Sequence, residues 1–270
     1  MDFQFDHLVH YMEDPHQAIA DLKEEGIHAV EGGKHGNRPT FNVLTYFDLS
    51  YIEIIGTSDK QTLEQMNHPR HSMIETIIES DYNEGFVRFV VRTSDIQQAA
   101  EHFRSKGLTV NGPVPLSRKR PDGTLLEWNL LFIGKEDEDL QLPYIIQWNE
   151  SDAERREDLT KRGVIAPHDT EAEFSHVHFA VHDVNQVIKN WSEWLDLPEI
   201  GEAYVDDKLQ ATCRTLGLPG GNLVFCEPIG EGLVANILKE RGEKPFQVNF
   251  KGNIAKDFEI SGGRYHLEEK

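Results

Sequence analysis

Three residues able to do chemistry stand at one repeated place in this chain: His7, Arg88 and His176. Each lies two positions after a phenylalanine, in an apolar run that ends in aspartate nine positions after that phenylalanine: Phe5 to Asp14, Phe86 to Asp95, Phe174 to Asp183. An imidazole titrates near neutral pH and can move a proton or ligate a metal. A guanidinium stays charged and grips carboxylate or phosphate oxygens in pairs. The scaffold repeats while the reactive side chain changes, so this position carries the functional information.

Regular elements must hold these places. The stretch near 3–12 alternates as a strand, with Phe5, His7 and Val9 on one face and Asp6, Leu8 and His10 on the other. Asp14 and Pro15 predict a helix start, Ala18, Ile19 and Leu22 its stripe, and Gly26 its end. Strands are predicted near 27–31, 40–47 and 50–56, which makes the unit β-α-β-β-β. Residues 57–84 read as a helical insertion. The second unit starts at Phe86, with a helix from Asp95 to Gly107 and strands near 108–111, 125–133 and 142–148. Matching Trp128-Asn129 to Phe41-Asn42 makes the two asparagines equivalent. Matching 142–148 to 51–55 sets Gln147 in the place of Glu53.

The expected organisation is a first module pair over 1–150, a charged linker over 151–172, and a third module with an incomplete fourth over 173–270. The fourth opens at Phe246–Phe250 after a short helix near 232–242, and the tail supplies a strand near Arg264–Leu267. Internal repetition of this kind outranks local propensity as a guide to fold.

Bulk composition narrows the partners. The 270 residues are 38% hydrophobic, enough for a sizeable core, and carry a net charge of −20. Such a surface repels nucleic acid and anionic membrane, so neither is expected as a partner. No apolar run approaches the roughly 18 residues of a membrane helix. The acidic start reads as the lead into a strand rather than a signal peptide. Cys213 and Cys226 read as reduced thiols of a cytoplasmic protein. The patterns GxSxG, GxxxxGK[ST], HExxH and paired CxxC are all missing from the sequence.

The order and spacing of several motifs resemble the vicinal oxygen chelate superfamily and its glyoxalase-like members. They are Phe5-Asp6-His7-Leu8-Val9, Gly32-Gly33-Lys34-His35 leading to Thr40-Phe41-Asn42, and Tyr51-Ile52-Glu53-Ile54. A further block, Leu223–Gly230 followed by Leu238–Phe250, resembles the join between paired modules in the epimerase and dioxygenase branches. The resemblance implies an α+β fold of repeated βαβββ modules, paired into curved half-barrel sheets. It also implies one divalent metal (Mn, Fe, Ni or Zn), ligated by a first-strand His and a last-strand Glu from each module. Such an ion would hold two neighbouring substrate oxygens.

Carried over by position, His7 and Glu53 match both ligand places of module one, while Arg88 and Gln147 replace those of module two. In the second pair His176 keeps its place, Val224 replaces the Glu, and Gln247 replaces the last His. Two roles stay open for His7 and Glu53: metal ligands, or catalytic acid–base groups of a site with no metal. Arg88 either pairs with Glu53 or clamps a substrate anion. Gln147, Asn42, Asn129 and His35 are further substrate-binding candidates, set against hydrogen bonding within the sheet. His176, Trp191 and Trp194 read as core, and His68–His71 as loop. The expected function is a glyoxalase-like lyase, isomerase or dioxygenase acting on a small oxygen-rich or carbonyl compound. The alternatives are a non-catalytic small-molecule binder of the resistance type with a degenerate metal site, and an interaction protein whose site has decayed. Beyond the small molecule, a second copy of the chain is the candidate partner, completing the fourth module.

Overall fold

The computed structural model describes residues 1–36, 38–119, 123–136 and 138–270. Its first unit comprises β1 (Gln4–Tyr11), α1 (Gln17–Glu24), β2 (Val30–Lys34), β3 (Thr40–Phe47) and β4 (Ser50–Thr57). An insertion follows, with α2 (Lys60–Gln65) and α3 (Met73–Glu79). The second unit comprises β5 (Gly85–Arg92), α4 (Ile96–Ser105), β6 (Thr109–Lys119), β7 (Leu125–Gly134) and β8 (Tyr144–Trp148). The segment expected to be a linker forms α5 (Asp152–Lys161). The third unit comprises β9 (Glu173–Ala180), α6 (Val184–Leu195), β10 (Glu199–Asp206), β11 (Ala211–Leu216) and β12 (Asn222–Pro228). Then come α7 (Leu233–Arg241), β13 (Lys244–Gly252), β14 (Lys256–Ile260) and β15 (Gly263–Glu269).

The strands form two sheets, ordered β2-β3-β4-β1-β5-β8-β7-β6 and β10-β11-β12-β9-β13-β15-β14. In each, the first strands of two units lie antiparallel at the centre, β1 beside β5 and β9 beside β13. The fold is thus the expected α+β arrangement of paired modules. Asp95 and Asp183 cap α4 and α6 by accepting from the N–H groups of Gln98 and Gln186, the aspartate-to-glutamine spacing seen in the sequence. The first repeat departs from this: Asp14 accepts from the His16 N–H, and α1 starts only at Gln17.

Simple alternation fails at the central strands, and the reason is a repeated β-bulge. Pairing slips by one residue at Asp6 on β1 and at Val87 on β5. It slips in the same way at Ser175 on β9 and at Phe246 on β13. Each extra residue sits just before His7, Arg88, His176 or Gln247. A bulge reverses the phase of the pleat and re-aims the next side chain. Phe5 and Leu8 therefore both face the shared core, while Asp6 and His7 turn together to the other side. This corrects the expected grouping of Phe5 with His7.

The two sheets share one core. Phe89 stacks on Phe5 and Trp191 and meets Phe179 edge-on, joining first and third units. On the opposite face of the first sheet, Leu63, Ile74 and Ile77 of the insertion cover Val9, Val90 and Tyr144, and Leu159 of α5 covers Tyr46 and Tyr51. On the second sheet α7 packs Val234 and Leu238 against Val224, Cys226 and Phe246. Cys213 and Cys226 face one another there as free thiols. No helix among the described residues is long and apolar enough to cross a membrane.

His10 ties the first strand to the last. Its Nε2–H donates to the Ser261 carbonyl (3.1 Å) and its Nδ1 accepts from the Tyr265 hydroxyl (2.9 Å). Burial pushes its pKa down to about 4, so it is neutral in the fold. An unfolded His binds its proton below about pH 6.5, so stability falls as pH drops from there towards 4, by up to about 3 kcal/mol. Denaturant titrations from pH 7 to 4 should show this loss, and His10→Gln should flatten it. Phe89→Ala should cost about 3–5 kcal/mol by emptying the inter-sheet contact, read as a lower midpoint in one cooperative thermal transition.

Candidate functional site

The concave side of the first sheet encloses a cavity of about 640 Å³, floored by His7 and Glu53 and walled by Tyr46, Tyr51, Trp128 and Trp148. Pockets that hold small molecules typically have this size and mixed lining. His7 is fixed from both ends. Its Nδ1 hydrogen-bonds Asp6 Oδ1 at 2.7 Å, and its Nε2 lies 3.4 Å from Glu53 Oε2. The ring stacks on Tyr51, and the Tyr144 hydroxyl stands 3.4 Å from Nε2. Glu53 Oε1 accepts from Asn42 Nδ2 at 2.6 Å. His35 Nδ1 shares a hydrogen bond with Thr40 Oγ1 at 2.9 Å, leaving Nε2 3.6 Å from Glu53 Oε1. Asp6 also accepts from Trp148 Nε1 at 3.0 Å and lies 3.6 Å from Arg155 Nη1.

These contacts decide the charges. Burial would raise the carboxyl pKa of Glu53, but the hydrogen bond and charge of His7, with the Asn42 hydrogen bond, hold it down at about 2. Burial likewise opposes ionisation of Asp6, and His7 with Arg155 overcomes it, again to about 2. Burial would lower His7, yet Asp6 and Glu53 raise it on balance. These contacts favour the imidazolium form of His7 between two carboxylates. His35 is pushed the other way: burial, with Arg118 and Arg38 nearby, outweighs Glu53 and keeps it neutral.

His7, Glu53, Asn42 and His35 are thus brought together, while Arg88, Gln147 and Asn129 are not. Arg88 is 2% exposed and donates to the carbonyls of His71 and Leu142, which clamps the insertion and the loop before β8 onto the sheet. It does not reach Glu53. Gln147 accepts from the Ile96 N–H and donates to the Ser94 carbonyl, closing the start of α4 on the outer face. The pairing register explains the difference. Glu53 lies opposite Val9, and the matching partner of Val90 is Tyr144, so Tyr144 rather than Gln147 is the equivalent of Glu53. Likewise Leu130, not Asn129, matches Asn42. A slip of one residue moves a side chain to the other face. Val224 does lie at the Glu53 position of the third unit, opposite His178, and His266 holds it in the fourth.

The donor set does not fit the implied metal. Of the four ligand positions in the first sheet, only His7 and Glu53 carry donors of the expected kind; Arg88 is a cation bound to backbone carbonyls and Tyr144 holds the last. Among the described residues no group of three or more His, Cys, Asp or Glu side chains is arranged to hold a metal ion. Sequence reasoning missed Asp6, Tyr144, Trp148 and Arg155. For Asp6 a signal existed: the core residues Phe5 and Leu8, Phe86 and Phe89, and Phe174 and Val177 are spaced by three, which strict alternation forbids.

The carboxylates contribute stability above their ordinary range near 4 and lose it as pH falls towards 2; His7 contributes below about 6.5 and loses it as pH rises through its raised pKa. Asp6→Asn should therefore cost most between these limits. The cost should be about 3–5 kcal/mol in denaturant titrations, since it strips a buried ion group of one partner. The His7 pKa, followed by NMR, should fall in the same variant.

Comparison with known proteins agrees with this architecture. A hypothetical protein from Staphylococcus aureus superimposes with a TM-score of 0.79 at 23% identity, covering 99% of this chain and 100% of that one. A mutant of 4-hydroxymandelate synthase from Streptomyces coelicolor superimposes with a TM-score of 0.61 at 10% identity, covering 95% of this chain and 72% of that one. At these identities the likeness concerns fold alone. Comparison with curated proteins finds no significant match. The sequence matches the glyoxalase-like domain family over residues 5–195, most of the chain, and with the paired βαβββ units this makes the protein a member of that family.

Proposed function

We propose that the first half-barrel is an acid–base site that moves a proton next to the carbonyl group of a small molecule, an isomerase- or lyase-type reaction. The observation that carries this is the His7–Glu53 pair at the floor of the cavity. At 3.4 Å the pair is looser than a strong charge-assisted hydrogen bond. A substrate carbonyl oxygen that enters between them takes the His7 hydrogen bond. Glu53 then loses the His7 hydrogen bond that helps hold its pKa down, and burial, the largest influence on it, makes it a stronger base. Glu53 accepts the proton from the carbon beside the carbonyl, while His7 donates to the developing oxyanion. Asp6 keeps the imidazole oriented and charged. Return of the proton to the same carbon completes the exchange; in an α-hydroxy ketone, return to the neighbouring carbon is balanced by passage of the hydroxyl proton to the oxyanion. Asn42 and His35 hold Glu53 in place.

The metal-dependent forms of the family's chemistry, dioxygenation included, find a poorer donor set here. A second reading, a non-catalytic binder, draws support from the aromatic walls and from the structural use of Arg88. Deuterium uptake beside the carbonyl of small 2-oxo acids and α-hydroxy ketones, followed by proton NMR in D₂O, separates the two. The wild type should promote exchange, and Glu53→Gln should slow it by about 10²–10⁴-fold while leaving binding intact. Exchange that is undiminished in Glu53→Gln would remove Glu53 from the chemistry. Binding with no exchange in the wild type would favour the binder.

A further inference from the structure

Arg155 comes from α5, which in chain order joins the first sheet to the second, yet it lines the cavity and is only 5% exposed. Its guanidinium lies 4.1 Å from the centre of the Trp148 ring. Among the described residues its ion-pair partner is Asp6, at 3.6 Å, too far for a hydrogen bond. Both Asp6 oxygens are engaged at hydrogen-bond distance elsewhere, Oδ1 with His7 and Oδ2 with Trp148. Among the described residues, Arg155 Nη1 has no hydrogen-bond partner. A buried guanidinium with an unmet donor is destabilising unless something else receives it. Arg38 and Arg118 also line this cavity, near enough to His35 to disfavour its charged form. Arginine thus gathers at one concave place in a chain whose net charge is −20.

We propose that Arg155 anchors an oxyanion, a carboxylate or phosphate group, on the small molecule that the cavity takes, with the apolar or aromatic body against Trp128, Trp148 and Tyr46. This deepens the acid–base reading by naming its substrate class: an anionic carbonyl compound held by its acidic group while the carbonyl meets His7 and Glu53. Arg155 is a binding residue in this scheme. An anion would satisfy the guanidinium with paired hydrogen bonds, and the Trp148 face behind it would keep the fork oriented.

The test is binding of three small aromatic probes, benzoate, phenyl phosphate and benzamide, read by tryptophan fluorescence and calorimetry. Trp148 against Arg155 provides the optical signal. The wild type should bind one of the anions at least about tenfold more tightly than neutral benzamide. Whichever anion is favoured identifies the acidic group as carboxylate or phosphate. Arg155→Gln should abolish the preference. Arg155→Lys, which keeps the charge beside Asp6 and so protects the fold, should weaken it through loss of the paired geometry. Glu53→Gln should leave the preference in place, so a failed proton-transfer reading and a failed anion anchor are distinguishable. Equal binding of benzamide, no binding of either anion, or a preference that survives in folded Arg155→Gln would each overturn the proposal.

Discussion

The constraint on which the structure depends is the antiparallel pairing of first strands at the centre of each sheet, with one bulge per strand. The extra residue at Asp6, Val87, Ser175 or Phe246 lets a strand keep residues such as Phe5, Phe89, Val177 and Phe250 in the shared core and still turn the next residue towards the concave side. Without the bulge, His7 and Phe5 would share a face, and either the core or the site would lose a side chain. Four strands use the device and place His7, Arg88, His176 and Gln247 at equivalent points.

What each point does depends on what packs over it. At Arg88 the insertion and the loop before β8 bring carbonyl oxygens close, and the guanidinium closes them onto the sheet. On the second sheet α7 fills much of the equivalent face with apolar side chains. At His7 the covering elements stand back, and a cavity remains. A duplicated scaffold thus yields one face built to hold elements together and another open to a ligand.

The open face is governed by shared charges. Asp6 is wholly buried and serves His7, Trp148 and, at longer range, Arg155. Burying such a carboxylate is costly unless it is paired. That requirement links β1, β8 and α5, elements far apart in sequence, at one point. The same pairing raises the His7 pKa and sets the proton between two carboxylates. Structure and site electrostatics are here the same set of contacts.

Much of the fold was legible from residue order. The repeat beginning at Phe5, Phe86 and Phe174 carries an apolar pattern and helix caps that any chain with this order must satisfy locally, and the paired modules follow. His7, Glu53, Asn42 and His35 were legible because they lie within one unit, where short loops keep their register. Asn129 and Gln147 were misplaced because registers differ between units by one and by three residues, and sheet pairing is a long-range property. Asp6, Tyr144 and Arg155 became site residues only in three dimensions. Sequence alone determined the units, their kinship and the pairing of His7 with Glu53 in module one. Tertiary structure decided which faces those residues share, because the bulge phase and the arrival of α5 depend on partners distant in the chain.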